Sequence, residues 1–226
     1  PEWAQLAAIE NQDVVLRQDD ERVGLLLDQG IRNVAEQKEQ HEHDLAAFID
    51  GNVAVNVLSN TAKRVHPEFQ GRLKPVLSRF GAFRAGPVKT VQRCQSKLEN
   101  DYAQAQHPKA AKLLDVVRCS VSFNTLEQLL TGYEGLLRHV DETDALALAR
   151  VKNGFAEKGA GTAFRDIKVN VVYHSETDPE NPVSMVCEVQ LILNQYLHEK
   201  KRIHKLYTIL RERNFFEMVV KGKEVE

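Results

Sequence analysis

The first fifty residues place Leu6, Ile9, Val23, Leu26, Leu27, Ile31 and Val34 at roughly helical spacing among Gln, Glu and Asp, with no proline after Pro1. That spacing predicts two or three helical pieces. Short helices are expected over 53–64 and 67–80, whereas GAFRAGPVK, with two glycines and a proline, breaks the pattern. Residues 90–105 read as a charged helix. After His107-Pro108 the period changes to two. KLLDVVRCSVSF is predicted as a strand entered through a short helix, and Asn124-Thr125 offers an N-cap to a helix over 126–139, with Glu127 and Gln128 in its first turn. ALALARVKNGF, FRDIKVNVVYHS and VSMVCEVQLIL supply three more strands, the turn-rich SETDPENP separates the last two, and a helix follows from Asn194 to about Arg213.

The order is helices, then β-α-β-β-β-α, which predicts an α+β fold behind a helical N-terminal region. The expected division is 1–80 for the helical region and 81–226 for the sheet domain. Side chains alternate across a strand, so parity sorts them by face. Val117, Cys119, Val121 and Phe123 point one way and Arg118, Ser120 and Ser122 the other. Ile167, Val169, Val171 and Tyr173 oppose Asp166, Lys168 and Asn170, and Met185, Cys187, Val189 and Leu191 oppose Glu188 and Gln190. Each strand therefore has an apolar face for helices to cover. The other face, which on any single strand would read as a solvated surface, gathers charges of both signs from three strands. That clustering points to a polar site able to do ion-dependent phosphate chemistry. Asp115, just before the first strand, is free to turn to either face, and with Glu188 it would make a two-carboxylate Mg²⁺ site.

Composition narrows the classes. With 226 residues, 42% hydrophobic and 27% charged, the chain is a soluble globular protein of net charge −2. The missing basic excess argues against non-specific DNA binding, so any phosphate must be met by local clusters. Three cysteines without a CxxC pair fit neither a disulfide framework nor a zinc site, and buried reduced thiols suit a cytoplasmic compartment. His41 and His43 stand two apart on a predicted helix and do not share a face, so they read as solvated surface rather than metal ligands. No apolar run approaches the ~20 residues of a membrane span, so no membrane partner is expected. No signal peptide is apparent, and Pro1 is expected to mark a fragment of a longer chain.

Five segments in order, VKTVQRCQSKL, LLDVVRCSV, RVKNGF, GAGTAFRDIKVNV and CEVQL with a helix ending HKLY, resemble the synthetase domain of the RelA/SpoT family, over about residues 86–207. The resemblance implies a nucleotidyltransferase-like (polymerase beta-like) fold and transfer of a pyrophosphoryl group from ATP to the 3′-hydroxyl of a guanine nucleotide. It makes Asp115 the Mg²⁺ aspartate and Glu188 the second metal ligand or the base, with Gln190 beside it. Lys89 and Lys97 fall on the helix that faces ATP, and Lys152 matches the lysine preceding the acceptor loop. Phe164 stands where a tyrosine stacks on guanine, followed by Arg165, and His204 and Tyr207 match the end of the closing helix. The departures are specific. Pro87 stands for an arginine, Arg93 for a serine, Arg118 and Ser120 for a glycine and an arginine, Asn153 for a frequent acid, Lys168 for a histidine, and Ile192-Leu193 for arginine-threonine. Arg93 and Arg118 are expected to supply the displaced positive charge, which puts Arg118 at the catalytic centre. The metal carboxylates persist while the residues around both nucleotides change. ATP remains the expected donor, and guanosine nucleotides, adenine nucleotides and RNA ends all stay open as acceptors. The alternative is an inactive nucleotide-binding or regulatory module of the same fold. The N-terminal helices lie outside the resemblance, free to cap the sheet, form an oligomer or regulate the site.

Overall fold

One apolar stripe carries the longest helix through two prolines. Leu58, Ala62, Val65, Phe69, Leu73 and Leu77 recur every three or four residues and are all fully buried. In the computed structural model they make one helix where the sequence predicts two. This helix, α2, is a π-helical turn, Ile49–Ala54, continued as Val55–Leu77 with Pro67 and Pro75 inside it. Burial of the stripe outweighs the backbone hydrogen bonds that the prolines remove. The structure describes residues 2–13, 17–26, 47–156, 165–178, 180–199 and 202. The predicted His41 and His43 surface lies outside them.

The other elements are α1 (Glu2–Ala8), β1 (Gln12–Asp13), β2 (Ala82–Ala85), α3 (Val91–Asn100), β3 (Arg118–Phe123), α4 (Leu126–Asp141), β4 (Leu146–Asn153), β5 (Asp166–Ser175) and β6 (Val183–Leu193). A short 3₁₀ turn, Lys109–Lys112, leads toward β3 as expected. A helix starts at 194 and is described to 199. Thr125 caps α4 as the sequence predicts, its hydroxyl accepting from the Gln128 N–H at 3.1 Å.

Among the described residues the strands form one six-stranded sheet in the order β1-β4-β5-β6-β3-β2. β3 and β6 run parallel and the remaining pairs are antiparallel. This is the α+β fold that the element order predicts, with the sheet mixed. Two strands were not predicted. β2 hides in GAFRAGP, where glycine and proline leave only four residues of alternation, and β1 is two residues long in a stretch expected to be helical. Residues 17–26 are turns rather than helix.

The odd-numbered positions of β3, β5 and β6 are buried as parity requires, apart from half-buried Val183 at the start of β6, and α2 and α4 cover them. Phe69 of α2 meets Tyr173 of β5 edge-on, with ring centroids 5.8 Å apart. The opposite face is not polar along its whole length. Val172, Val186 and Ala149 lie there with Leu114 and Val23 in a small second hydrophobic cluster. The segment 17–26 roofs it through Gln18, a fully buried amide. Gln18 donates to the carbonyls of Leu113 (3.1 Å) and Val186 (2.9 Å), and its Oε1 accepts from the Val186 N–H at 2.9 Å. The open polar face is thereby confined to the end of the sheet that carries Glu188 and Gln190.

That roof gives a first prediction. Gln18→Ala orphans one buried N–H and two carbonyls, and is expected to cost about 2–3 kcal/mol, or roughly 5–10 °C in thermal midpoint. Gln18→Leu restores volume but no hydrogen bond, and should recover little of the loss in the same melting experiment.

Candidate functional site

Asp115 sits in the turn before β3, anchored by buried neighbours on both sides, Leu114 and Val116. Lys89 is stitched to the same turn, because its N–H donates to the Val116 carbonyl at 3.0 Å. The next residue, Thr90, caps α3 by accepting from the Arg93 N–H at 3.3 Å, and α3 then carries Lys97 toward Asp115 two turns later. The result is a carboxylate with a cation on each oxygen. Lys97 Nζ is 3.0 Å from Oδ1, and Lys89 Nζ donates to Oδ2. Arg118 Nη1 stands 3.8 Å from Oδ2. Strict parity would have sent Asp115 to the core; the turn directs its side chain to these cations instead.

Glu188 lies on β6, in register with Arg118 of β3 on one side and Asn170 of β5 on the other. Its side chain is buried, and Gln190 Nε2 donates to Oε1 at 2.5 Å. The two carboxylates differ sharply in proton affinity. Burial would raise the Asp115 carboxyl, but Lys97 and Lys89, by charge and hydrogen bond, outweigh it and hold it well below the usual carboxylate range. Burial pushes the Glu188 carboxyl up, and the Asp115 charge adds to that rise, with Gln190, Lys168 and Lys97 opposing it. Burial lowers Lys89. Lys97 is raised despite burial, because Asp115, Tyr102 and Glu188 favour its charged form, and the Tyr102 ring lies 5.3 Å from Nζ.

The donor chemistry fits a hard divalent cation. The Asp115 charge disfavours ionisation of Glu188, and a cation held by both would relieve that repulsion. Among the described residues no cluster of three or more His, Cys, Asp or Glu side chains is arranged to hold a metal. Among the described residues, Asp115 and Glu188 would thus be the pair to hold it. That matches Mg²⁺, which keeps water and takes its remaining oxygens from phosphates.

Beside this cluster opens a cleft of about 680 Å³, lined among others by Arg84, Arg93, Arg118, Ser120, Ser122 and Gln190. Arg118 and Gln190 belong to both, so the cleft is continuous with the carboxylates. A smaller cleft of about 250 Å³ also borders α3, at Asp50 and His107. Its carboxylate is structural. Asp50 accepts from His107 Nδ1 (2.8 Å) and from the N–H groups of Lys109 (2.5 Å) and Ala110 (2.6 Å), capping the turn that leads to β3.

Of the sequence-predicted residues, Lys89, Arg93, Lys97, Asp115, Arg118, Glu188 and Gln190 come together here. Lys168 flanks them, in register with Gln190 and 3.1 Å from Asp166, and Lys152 stands one strand further out, in register with Lys168. Arg165 is elsewhere engaged, with its guanidinium 5.2 Å from the centre of the Trp3 ring. Phe164, His204 and Tyr207 lie outside the described residues. Asn153 holds α1, donating to the carbonyls of Leu6 (2.8 Å) and Ile9 (2.9 Å). Sequence reasoning missed Arg84, because the four-residue alternation of β2 was read as a break.

No protein-family model and no curated protein matches the chain. Among solved structures, small alarmone synthetase 1 from Bacillus subtilis bound to its product pppGpp matches with a TM-score of 0.54 at 13% identity, over 73% of this chain and 94% of that one. A second structure of the same protein matches with a TM-score of 0.54 at 14% identity, over 73% and 93%. Small alarmone synthetase 2 from Bacillus subtilis matches with a TM-score of 0.52 at 11% identity, over 73% and 96%. The chain therefore has the RelA/SpoT-like synthetase fold that its five segments resemble. No helix among the described residues is long and apolar enough to cross a membrane.

Proposed function

We propose that on this fold the chain works as a divergent Mg²⁺-dependent transferase, moving a pyrophosphoryl group from ATP to a hydroxyl of a nucleotide acceptor. One observation carries the reading. A carboxylate held by two lysines adjoins a second, buried carboxylate, and Arg118 and Gln190, which contact the two carboxylates, line an arginine-rich cleft beside them.

The protein's part is positioning and charge. Lys89, Lys97 and Arg118 surround the place where the triphosphate would lie and stabilise negative charge as the acceptor oxygen attacks the β-phosphorus. The bond from that phosphorus to the α–β bridging oxygen breaks, and AMP leaves. Glu188 would serve either as second metal ligand or as the base that takes the acceptor proton, and its raised proton affinity suits the second role. Gln190 holds its orientation. Mg²⁺ held by Asp115 and Glu188 would neutralise phosphate charge. Lys168 and Lys152, on the far side of Glu188, would meet an anionic acceptor, which their register on β5 and β4 supports.

Incubation with labelled ATP, Mg²⁺ and a panel of guanosine nucleotides, adenine nucleotides and RNA is expected to give AMP together with a pyrophosphorylated acceptor. A folded protein that transfers to none of them sinks the reading. If it then still binds ATP, it is a nucleotide-binding module on the same fold.

A further inference from the structure

Strand β6 outruns its parallel neighbour. β3 begins at Arg118, opposite Glu188, whereas β6 begins at Val183. Among the described residues, the part of β6 before Glu188 therefore has β5 on one side and no strand on the other. The Glu188 N–H donates to the Val117 carbonyl at 3.0 Å. N–H groups on one side of a strand recur every second residue, so the Val186 N–H faces the open side. Gln18 fills that side. Its amide accepts from the Val186 N–H and donates to the Val186 carbonyl, both at 2.9 Å, as a neighbouring strand would. The same amide nitrogen also donates to the Leu113 carbonyl at 3.1 Å, and the Gln18 backbone N–H donates to the Ala111 carbonyl at 2.7 Å.

One side chain thus spans the two segments that carry the carboxylates. Leu113 stands two residues before Asp115, and Val186 two before Glu188. Other ties between these segments are weaker. Asn170 reaches both, but its Nδ2 lies 3.5 Å from the Leu114 and Cys187 carbonyls, beyond the length of a firm hydrogen bond. The ladder between β3 and β6 starts after the turn, and Lys89 and Lys97 tie Asp115 to α3 and the residues leading into it. Gln18 is itself held firmly. Next to it Arg17 donates to the Pro108 carbonyl at 3.2 Å and pairs with buried Asp19 at 2.7 Å. In a roof lined by Val23, Leu114 and Val186 a leucine would fill the space, whereas an amide adds fixed distances to both partners.

We propose that Gln18 is a positioning residue for the paired carboxylates: its amide sets the turn of Asp115 against the strand of Glu188, and with it the spacing at which the two share a divalent cation. This rests on the transferase reading for what the cation does there. The test titrates Mn²⁺ alone into the protein, well below its melting point, and reads the spin resonance of the free ion. Gln18→Leu keeps the volume, and Gln18→Asn keeps an amide one methylene too short to span both segments. Each is expected to bind Mn²⁺ about tenfold more weakly. Val23→Ala thins the same roof without touching the amide, so it should melt below the wild type and yet bind Mn²⁺ with wild-type affinity. In the transfer reaction, the Mg²⁺ needed for half-maximal rate should rise by the same factor in both Gln18 variants, with the KM for ATP at saturating Mg²⁺ unchanged. Unchanged Mn²⁺ affinity in the Gln18 variants, equal weakening by Val23→Ala, or a wild type that binds no Mn²⁺ each overturns the proposal. Failure of both Gln18 variants to fold overturns it too, because the amide is then structural alone. The two readings fail separately. A wild type that binds Mn²⁺ through a Gln18-dependent site but transfers nothing loses the transferase activity only, whereas an active enzyme whose metal affinity ignores Gln18 loses only this assignment.

Discussion

Asp115→Asn is expected to lower transfer by roughly 10³-fold and to destabilise the protein at the same time. Asparagine keeps the shape and one acceptor oxygen but removes the charge that two lysines share. Lys89 is buried and Lys97 nearly so, and Asp115 is the group that each of them contacts. Removing one partner of a buried ion pair costs about 3–5 kcal/mol, or roughly 10 °C in thermal midpoint for a chain of this size. The pH dependence identifies the cause. The folded protein holds the Asp115 carboxyl below its ordinary value of 3.8, so its stabilisation is present above that value and is lost as pH falls through the folded one. The melting difference between wild type and variant should therefore be widest near neutrality and narrow in acid. A constant difference from pH 7 to pH 3 would mean that lost shape, not lost charge, destabilises the variant. An active Asp115→Asn would remove Asp115 from the reaction.

Where one residue type repeats at a fixed period, the sequence was a good guide. The alternation of Cys119, Val121 and Phe123 with Arg118, Ser120 and Ser122 predicts both the strand and its faces, and the structure keeps them. The same holds for Glu188 and Gln190, whose shared face follows from spacing alone. What escaped depends on contacts distant in the chain. Pro67 reads locally as a helix boundary, and only a stripe buried against the sheet carries the helix through it. Gln18 looks like one polar residue among many, until residues 113 and 186 supply its partners. Nothing local to Asp115 shows which way a turn residue faces. The lysines that fix it lie 18 and 26 positions away, and that they approach it followed from family resemblance rather than from periodicity. Arg84 needed the register of β2, which four residues between glycines do not announce.

Glu188→Gln should separate activity from stability in the opposite sense to Asp115→Asn. Glutamine is nearly isosteric and leaves an oxygen to accept from Gln190, so the strand and its register are undisturbed. It cannot take a proton or hold a divalent cation well, so transfer is expected to fall by about 10²–10³-fold. Stability should nevertheless rise at neutral pH. Burial and the Asp115 charge push the Glu188 carboxyl above its ordinary 4.5, which means that the fold disfavours the ionised form. A carboxyl raised in this way leaves full stability below its unfolded value and takes stability away as pH rises through the folded one. Glu188→Gln escapes that loss. Its thermal midpoint should exceed the wild type's at pH 7–8, and the advantage should vanish as pH approaches 4.5. The wild type's transfer rate should carry an acid limb in the same interval, falling as Glu188 takes up its proton. A variant that melts below the wild type at neutral pH would show instead that Lys97 and Lys168 stabilise the Glu188 charge by more than burial and Asp115 oppose it. The carboxylate would then belong to a structural ion network rather than to a site held ready for a cation and a substrate.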